Sequence, residues 1–111
     1  MPVGYVALRD DRPLGVVNLI ECNLPPRCHL SPWLAGLYVH PSYRLQGVGT
    51  ALARFLEDHA ASLGFEDVYL YTANAEGFYS RLGWGTVEQV RWEGEQVALM
   101  RRAVSRCSPS G

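Results

Sequence analysis

Gly47 and Gly49 stand one residue apart at the start of a helix-periodic stretch, and the run Leu37, Tyr38, Val39, His40, Pro41, Ser42, Tyr43, Arg44, Leu45, Gln46 leads into them. An apolar strand passing through a glycine-containing turn into a helix is suited to hold an anion. The first amides of a helix lack internal partners and lie at the positive end of its dipole, and glycines let phosphate oxygens approach the backbone. Val48 and Thr50 belong to the same turn, and Arg44 stands beside it. Two common phosphate loops do not match. A P-loop needs Lys-Ser or Lys-Thr after its last glycine, and the chain contains no lysine. A dinucleotide fingerprint needs a third glycine where Leu52 stands, and an acidic residue ending the next strand, whereas Glu66 and Asp67 precede it.

The remaining polar chemistry is sparse. Absence of lysine closes Schiff-base mechanisms. Cys22, Cys28 and His29 match no zinc spacing, so no metal site is expected. An odd count of three cysteines reads as free thiols in a reducing compartment. Ten Lys+Arg against eleven Asp+Glu give a net charge of -1, with the arginines scattered, which gives no support to nucleic-acid binding. No apolar run is long enough for a membrane helix, and charges interrupt the first thirteen residues, so a cytoplasmic protein with no membrane partner is expected.

The elements that must position the turn follow from periodicity. At 111 residues, 48% hydrophobic, one domain with a real core is expected. Gly4–Leu8 and Leu14–Cys22 predict a hairpin, Trp33–Val39 a central strand and Gln46–Leu63 an amphipathic helix closed by Gly64. On that helix Val48, Leu52, Phe55, Leu56, His59 and Leu63 form the apolar stripe, His59 as a core histidine, with Arg54, Glu57, Asp58 and Ala61 opposite. Asp67–Tyr71 predicts a strand, Ala73–Leu82 a helix, and Trp84–Val90 with Glu95–Arg101 a closing hairpin. The fold class is α/β (α+β): a mixed, mostly antiparallel sheet with one central parallel βαβ crossover. Residues 1–102 form the domain, and 103–111 are expected to be a disordered tail.

Arg44-x-x-Gly47-x-Gly49, preceded by Val39-x-Pro41, resembles the pyrophosphate-binding signature of the GNAT superfamily of acetyl-CoA-dependent N-acetyltransferases. Ala75-Glu76-Gly77-Phe78-Tyr79-Ser80-Arg81-Leu82-Gly83-Trp84 resembles the family's second characteristic helix, with an aromatic-Tyr pair before a Leu-Gly-aromatic ending. The resemblance covers most of the chain. It implies acetyl-CoA as cosubstrate in a cleft between splayed parallel strands, and direct attack by a primary amine in a ternary complex. Leu37, Tyr38 and Val39 would pair with the pantetheine arm, and Arg44, Leu45, Gln46, Gly47, Val48, Gly49 and Thr50 would hold or shape the pyrophosphate site. Tyr79 would protonate the departing thiolate. Glu21 is the first candidate base, with His40 and His29 behind it and water-mediated deprotonation equally open. The family's asparagine seven residues before the tyrosine is replaced by Thr72, and Asn74 lies slightly further on.

The chain opens at what corresponds to the family's second strand, an N-terminally truncated version of the fold. Gly4–Leu8 would then be an unprotected apolar edge, and a homodimer is expected. The acceptor would be a small-molecule or protein amine. The alternative is an acetyl-CoA- or CoA-binding module or subunit without acetyltransferase activity of its own.

Overall fold

The computed structural model describes residues 3–44 and 47–104. Leu45, Gln46 and the segment 105–111 lie outside them, and with them two of the expected pyrophosphate contacts and most of the expected tail.

The strands are β1 (Val3–Arg9), β2 (Arg12–Ile20), β3 (Trp33–Val39), β4 (Asp67–Thr72), β5 (Gly85–Trp92) and β6 (Glu95–Ala103), with helices α1 (Val48–Ser62) and α2 (Glu76–Arg81). They form one mixed sheet in the order β1-β2-β3-β4-β6-β5. Its parallel pair is β3 with β4, across the α1 crossover, and the other described pairs are antiparallel. Asp10 and Asp11 (φ 51° and 66°) make the β1–β2 turn, and Glu93 and Gly94 (φ 51° and 82°) make the β5–β6 turn. Positive φ at both central residues gives a turn twist that matches the strands.

Both helices end on the same device. Phe65 N donates to Ala60 O and Gly64 N to Ala61 O after α1; Trp84 N donates to Tyr79 O and Gly83 N to Ser80 O after α2. Each is a Schellman closure, and Gly64 and Gly83 take the left-handed residue at φ 93° and 101°. α2 starts later than its periodicity predicts because Thr72 Oγ1 accepts from Ala75 N at 2.9 Å, bending the chain before the helix begins. β6 continues through Ala103, and Val104 N donates to Glu66 O at 2.8 Å.

The main core lies between α1, α2 and one sheet face, around Val17, Leu19, Leu56, Val68, Leu70 and Met100. A smaller core on the other face gathers Leu24, Trp33, Val90, Val97 and Leu99 under the loop after β2. That loop carries a correction to the free-thiol expectation: Cys22 and Cys28 form a disulfide. The short 3₁₀ turn Pro25–Arg27 brings their Cα atoms to 5.1 Å, within bonding range, which a count of cysteines does not reveal.

The helix stripe also needs correction. Phe55 and Leu63 are exposed, whereas Ala53, Ala60 and Glu57 are buried. Small residues let α1 lie close to the sheet, and Glu57 is buried because it has partners there. His59 is half-buried, its ring 5.2 Å from that of Tyr5.

Candidate functional site

β3 and β4 are joined at Trp33 and Tyr69, the register pair between them among the described residues, and Tyr69 N donates to Pro32 O at 3.0 Å. Beyond it the strands part. On the β2 side, the register changes between Val16–Tyr38 and Asn18–Ala35, so that Gly36 and Leu37 share one position opposite Val17. This bulge has Gly36 at φ 62°. An extra residue bends a strand and increases its twist, here where β3 leaves β4.

The opening holds a cavity of about 640 Å³, within the roughly 300–1,000 Å³ usual for ligand sites. Its walls include Leu37, Tyr38 and Val39 of β3, Gly47 to Thr50 at the start of α1, and Phe78 and Tyr79 of α2. Gly47 is the N-cap, at φ 81°, with no side-chain cap; the Ala51 amide is bonded back to its carbonyl at 2.9 Å. The amides of Val48, Gly49 and Thr50 precede that first helical bond and so face outward at the positive end of a 15-residue helix. A side chain at Gly47 would enter open space but be strained by its φ, whereas a Cβ at Gly49 would meet Val39 and Phe78 at ordinary contact distance. The two glycines therefore act differently: the first is required by the backbone, and the second keeps the wall low.

Arg44 borders this cavity, its Nε donating to Val39 O at 3.1 Å and its guanidinium 5.7 Å from the centre of the Tyr38 ring. It thereby ties the turn back to β3. His40 Nδ1 accepts from Ser42 N at 3.1 Å, capping the 3₁₀ turn Pro41–Tyr43.

A second cavity of about 270 Å³ adjoins the first, lined by Asn23, Gly36, Thr72 and Asn74 among others. Leu37, Ala75 and Tyr79 line both cavities. Tyr79 is 7% exposed, packed against Phe78 (ring centres 5.0 Å apart) and Trp84 (6.0 Å). Burial pushes its phenol up to about 12. A phenol whose folded value lies above its unfolded value near 10 favours folding while neutral. That contribution is complete below about pH 10 and disappears as pH rises through about 12. Alkaline unfolding followed by circular dichroism should therefore lose part of its pH slope in this window in Tyr79→Phe.

Of the expected site residues, the cleft brings together Leu37, Tyr38, Val39, Arg44, Gly47, Val48, Gly49, Thr50, Thr72, Asn74 and Tyr79. Glu21 is exposed just beyond the end of β2 and lines neither cavity, and His29 is exposed beside the Arg27–Glu88 ion pair. Glu57, which periodicity placed on the solvent side, is buried and accepts from Trp84 Nε1 just after α2. Ala75, Phe78 and Asn23 also line the cleft, and the spacing of α2 carried the signal for the first two.

The family model for the acetyltransferase (GNAT) family matches residues 2–84. The chain belongs to this family. Probable N-acetyltransferase 14 of Xenopus tropicalis is 35% identical over 77 residues, which is 66% of this chain and 37% of that protein. The chain thus matches little more than a third of that relative's length. Among solved structures, an aminoglycoside 6'-acetyltransferase type Ii superposes with a TM-score of 0.81 at 23% identity, covering 96% of this chain and 72% of that one. An aminoglycoside 6'-N-acetyltransferase complexed with coenzyme A gives 0.79 at 19% identity, covering 96% and 75%. These likenesses show that the GNAT architecture, with its mixed sheet and central crossover, is present here. Among the described residues, no helix is long and apolar enough to cross a membrane, and no cluster of His, Cys, Asp and Glu is arranged to hold a metal.

Proposed function

We propose that this GNAT-family member is an acetyl-CoA-dependent N-acetyltransferase that acts on a primary amine within a ternary complex. The observation that carries the reading is the placement of Tyr79 where the two cavities meet, one of them ending at the uncapped start of α1. The family resemblance and the coenzyme A bound in the solved relative support the same cosubstrate. The residues present suit it: outward amides match a pyrophosphate, and the parted edges of β3 and β4 match the amides of a pantetheine arm.

Acetyl-CoA supplies an activated thioester. Val48, Gly49 and Thr50 hold the pyrophosphate through their amides, with Leu45 and Gln46 the further contacts that the family resemblance implies. Leu37, Tyr38 and Val39 bind the arm as an added strand would, an amide near Val39 polarising the thioester carbonyl. Thr72 and Asn74 offer polar groups on the opposite wall. Tyr79 donates its proton to the departing sulfur and recovers one from water. The amine enters by the second cavity, and Glu21, two residues before Asn23 in the chain, serves as the first candidate to take its proton through water. Thiol release measured with acetyl-CoA and a panel of small amines and amino-terminal peptides tests the reading. Turnover of any of them supports it; acetyl-CoA binding without turnover by any of them would instead favour a CoA-binding module.

We also propose a homodimer through β1, one of the two edge strands of the sheet. Val6 and Leu8 are 55% and 60% exposed on it. Antiparallel pairing about a two-fold axis at Val6 sets Gly4 against Leu8 and Tyr5 against Ala7, a small residue facing each large one. Sedimentation should show a dimer that Val6→Arg converts to monomer; a monomeric wild type across the concentration range would exclude this association.

A further inference from the structure

We propose that Glu57 is a positioning residue for Tyr79, a role that rests on Tyr79 being the proton donor. The observation is a carboxylate that is 6% exposed in the middle of α1, the same helix whose first turn lines the larger cavity. Its Oε2 accepts from Trp84 Nε1 at 3.1 Å, and its Oε1 accepts from Arg102 Nε at 3.3 Å and Arg54 Nη1 at 3.1 Å. Arg102 comes from β6 and also donates from Nη1 to Gly83 O at 3.1 Å.

Glu57 therefore grips the turn that ends α2 in two ways, directly through Trp84 and through Arg102 to the Gly83 carbonyl. A Cβ at Gly83 would overlap the Arg102 guanidinium, so glycine is needed for this approach as well as for its φ of 101°. The turn in its lateral contacts holds Tyr79: Trp84 N donates to Tyr79 O at 3.1 Å, and the two rings pack edge to face with centres 6.0 Å apart. α2 has only six helical residues; Thr72 holds its start through Ala75 N and Thr86 bonds Glu76, while this clasp holds its C-terminal end, next to Tyr79. About nine residues of α1, roughly 14 Å of helix, separate Glu57 from the amides of its first turn. One rigid element thus fixes both where the pyrophosphate sits and where the phenol points.

This arrangement does more than stabilise. A buried carboxylate removed from its partners would weaken any protein, but here the part it holds is the turn that carries Tyr79, and small misplacements of a reacting group cost large factors in rate. The effect of disturbing Glu57 must then depend on whether Tyr79 has a proton to give.

The test is a double-mutant cycle on the full chain, read as kcat and acetyl-CoA KM of the folded fraction, with Glu57→Gln, Trp84→Phe and each combined with Tyr79→Phe. Trp84→Phe keeps an aromatic ring at this position while removing the indole donor together with its five-membered ring, so it serves if Glu57→Gln does not fold. Each single variant is expected to lose about tenfold in kcat with KM changed less than about twofold, and to lose less than about twofold further when Tyr79 is already phenylalanine. Equal losses in both backgrounds would overturn the positioning role while leaving Tyr79 as the donor. An undiminished kcat in Tyr79→Phe alone would overturn the donor reading and this proposal with it.

Discussion

Tyr79→Phe is expected to lower kcat on the order of 100-fold while leaving acetyl-CoA affinity within about twofold of wild type. The separation follows from where the hydroxyl lies. Tyr79 belongs to the walls of both cavities, but the ring makes the packing contacts with Phe78 and Trp84, and phenylalanine preserves that ring. What is lost, on the proposed reading, is the proton donated to the departing thiolate. Burial, which pushes the phenol up to about 12, keeps it protonated through neutral and mildly alkaline pH. No alkaline limb due to Tyr79 should therefore appear in the wild-type rate profile below about pH 10. Steady-state kinetics with calorimetric binding checks the first claim. Equal loss in turnover and affinity would assign Tyr79 to binding instead.

Gly47→Glu is expected to weaken acetyl-CoA binding by at least about 100-fold. Two effects act in the same direction. The residue sits at φ 81°, where a side chain brings strain of about 1–3 kcal/mol that the glycine avoids. A carboxylate at the cap of α1 also occupies, with its own negative charge, the position the outward amides offer to phosphate. Open space around a Cβ there means that the loss would not come from a clash within the protein. Gly49→Ala should be milder, because its Cβ meets Val39 and Phe78 at ordinary distances. Calorimetry with acetyl-CoA distinguishes the two, with thermal melting confirming that both variants fold.

Most of the sheet was legible from local signals. Asp10-Asp11 and Glu93-Gly94 mark tight turns, Trp33–Val39 is an apolar run of strand length, and Leu-Gly-aromatic endings close both helices. The strand followed by Gly47 and Gly49 likewise marked the turn that the structure places on the wall of the larger cavity. What could not be read depends on residues distant in the chain. Glu57 fell on the polar side by periodicity, and only the approach of Trp84 and Arg102, the latter 45 residues away, makes its burial favourable. Phe55, apolar and in register, remains exposed because it packs over Tyr5 at the open edge of β1 and not into the sheet. The Cys22–Cys28 bond depends on a 3₁₀ turn inside a prolyl loop that has no periodicity. Gly36 lies inside the strand predicted over Trp33–Val39, yet it takes a positive φ in a bulge where β3 begins to leave β4.

The central claim is that the cleft between β3 and β4 receives acetyl-CoA with its pyrophosphate on the first turn of α1. Amide chemical-shift mapping by NMR during titration with acetyl-CoA tests it most directly. The account predicts that Val48, Gly49 and Thr50 shift together with Leu37, Tyr38 and Val39, while the β1 edge and the β5–β6 turn stay unchanged. Saturable acetyl-CoA binding that leaves the amides of Val48, Gly49 and Thr50 unmoved would contradict it.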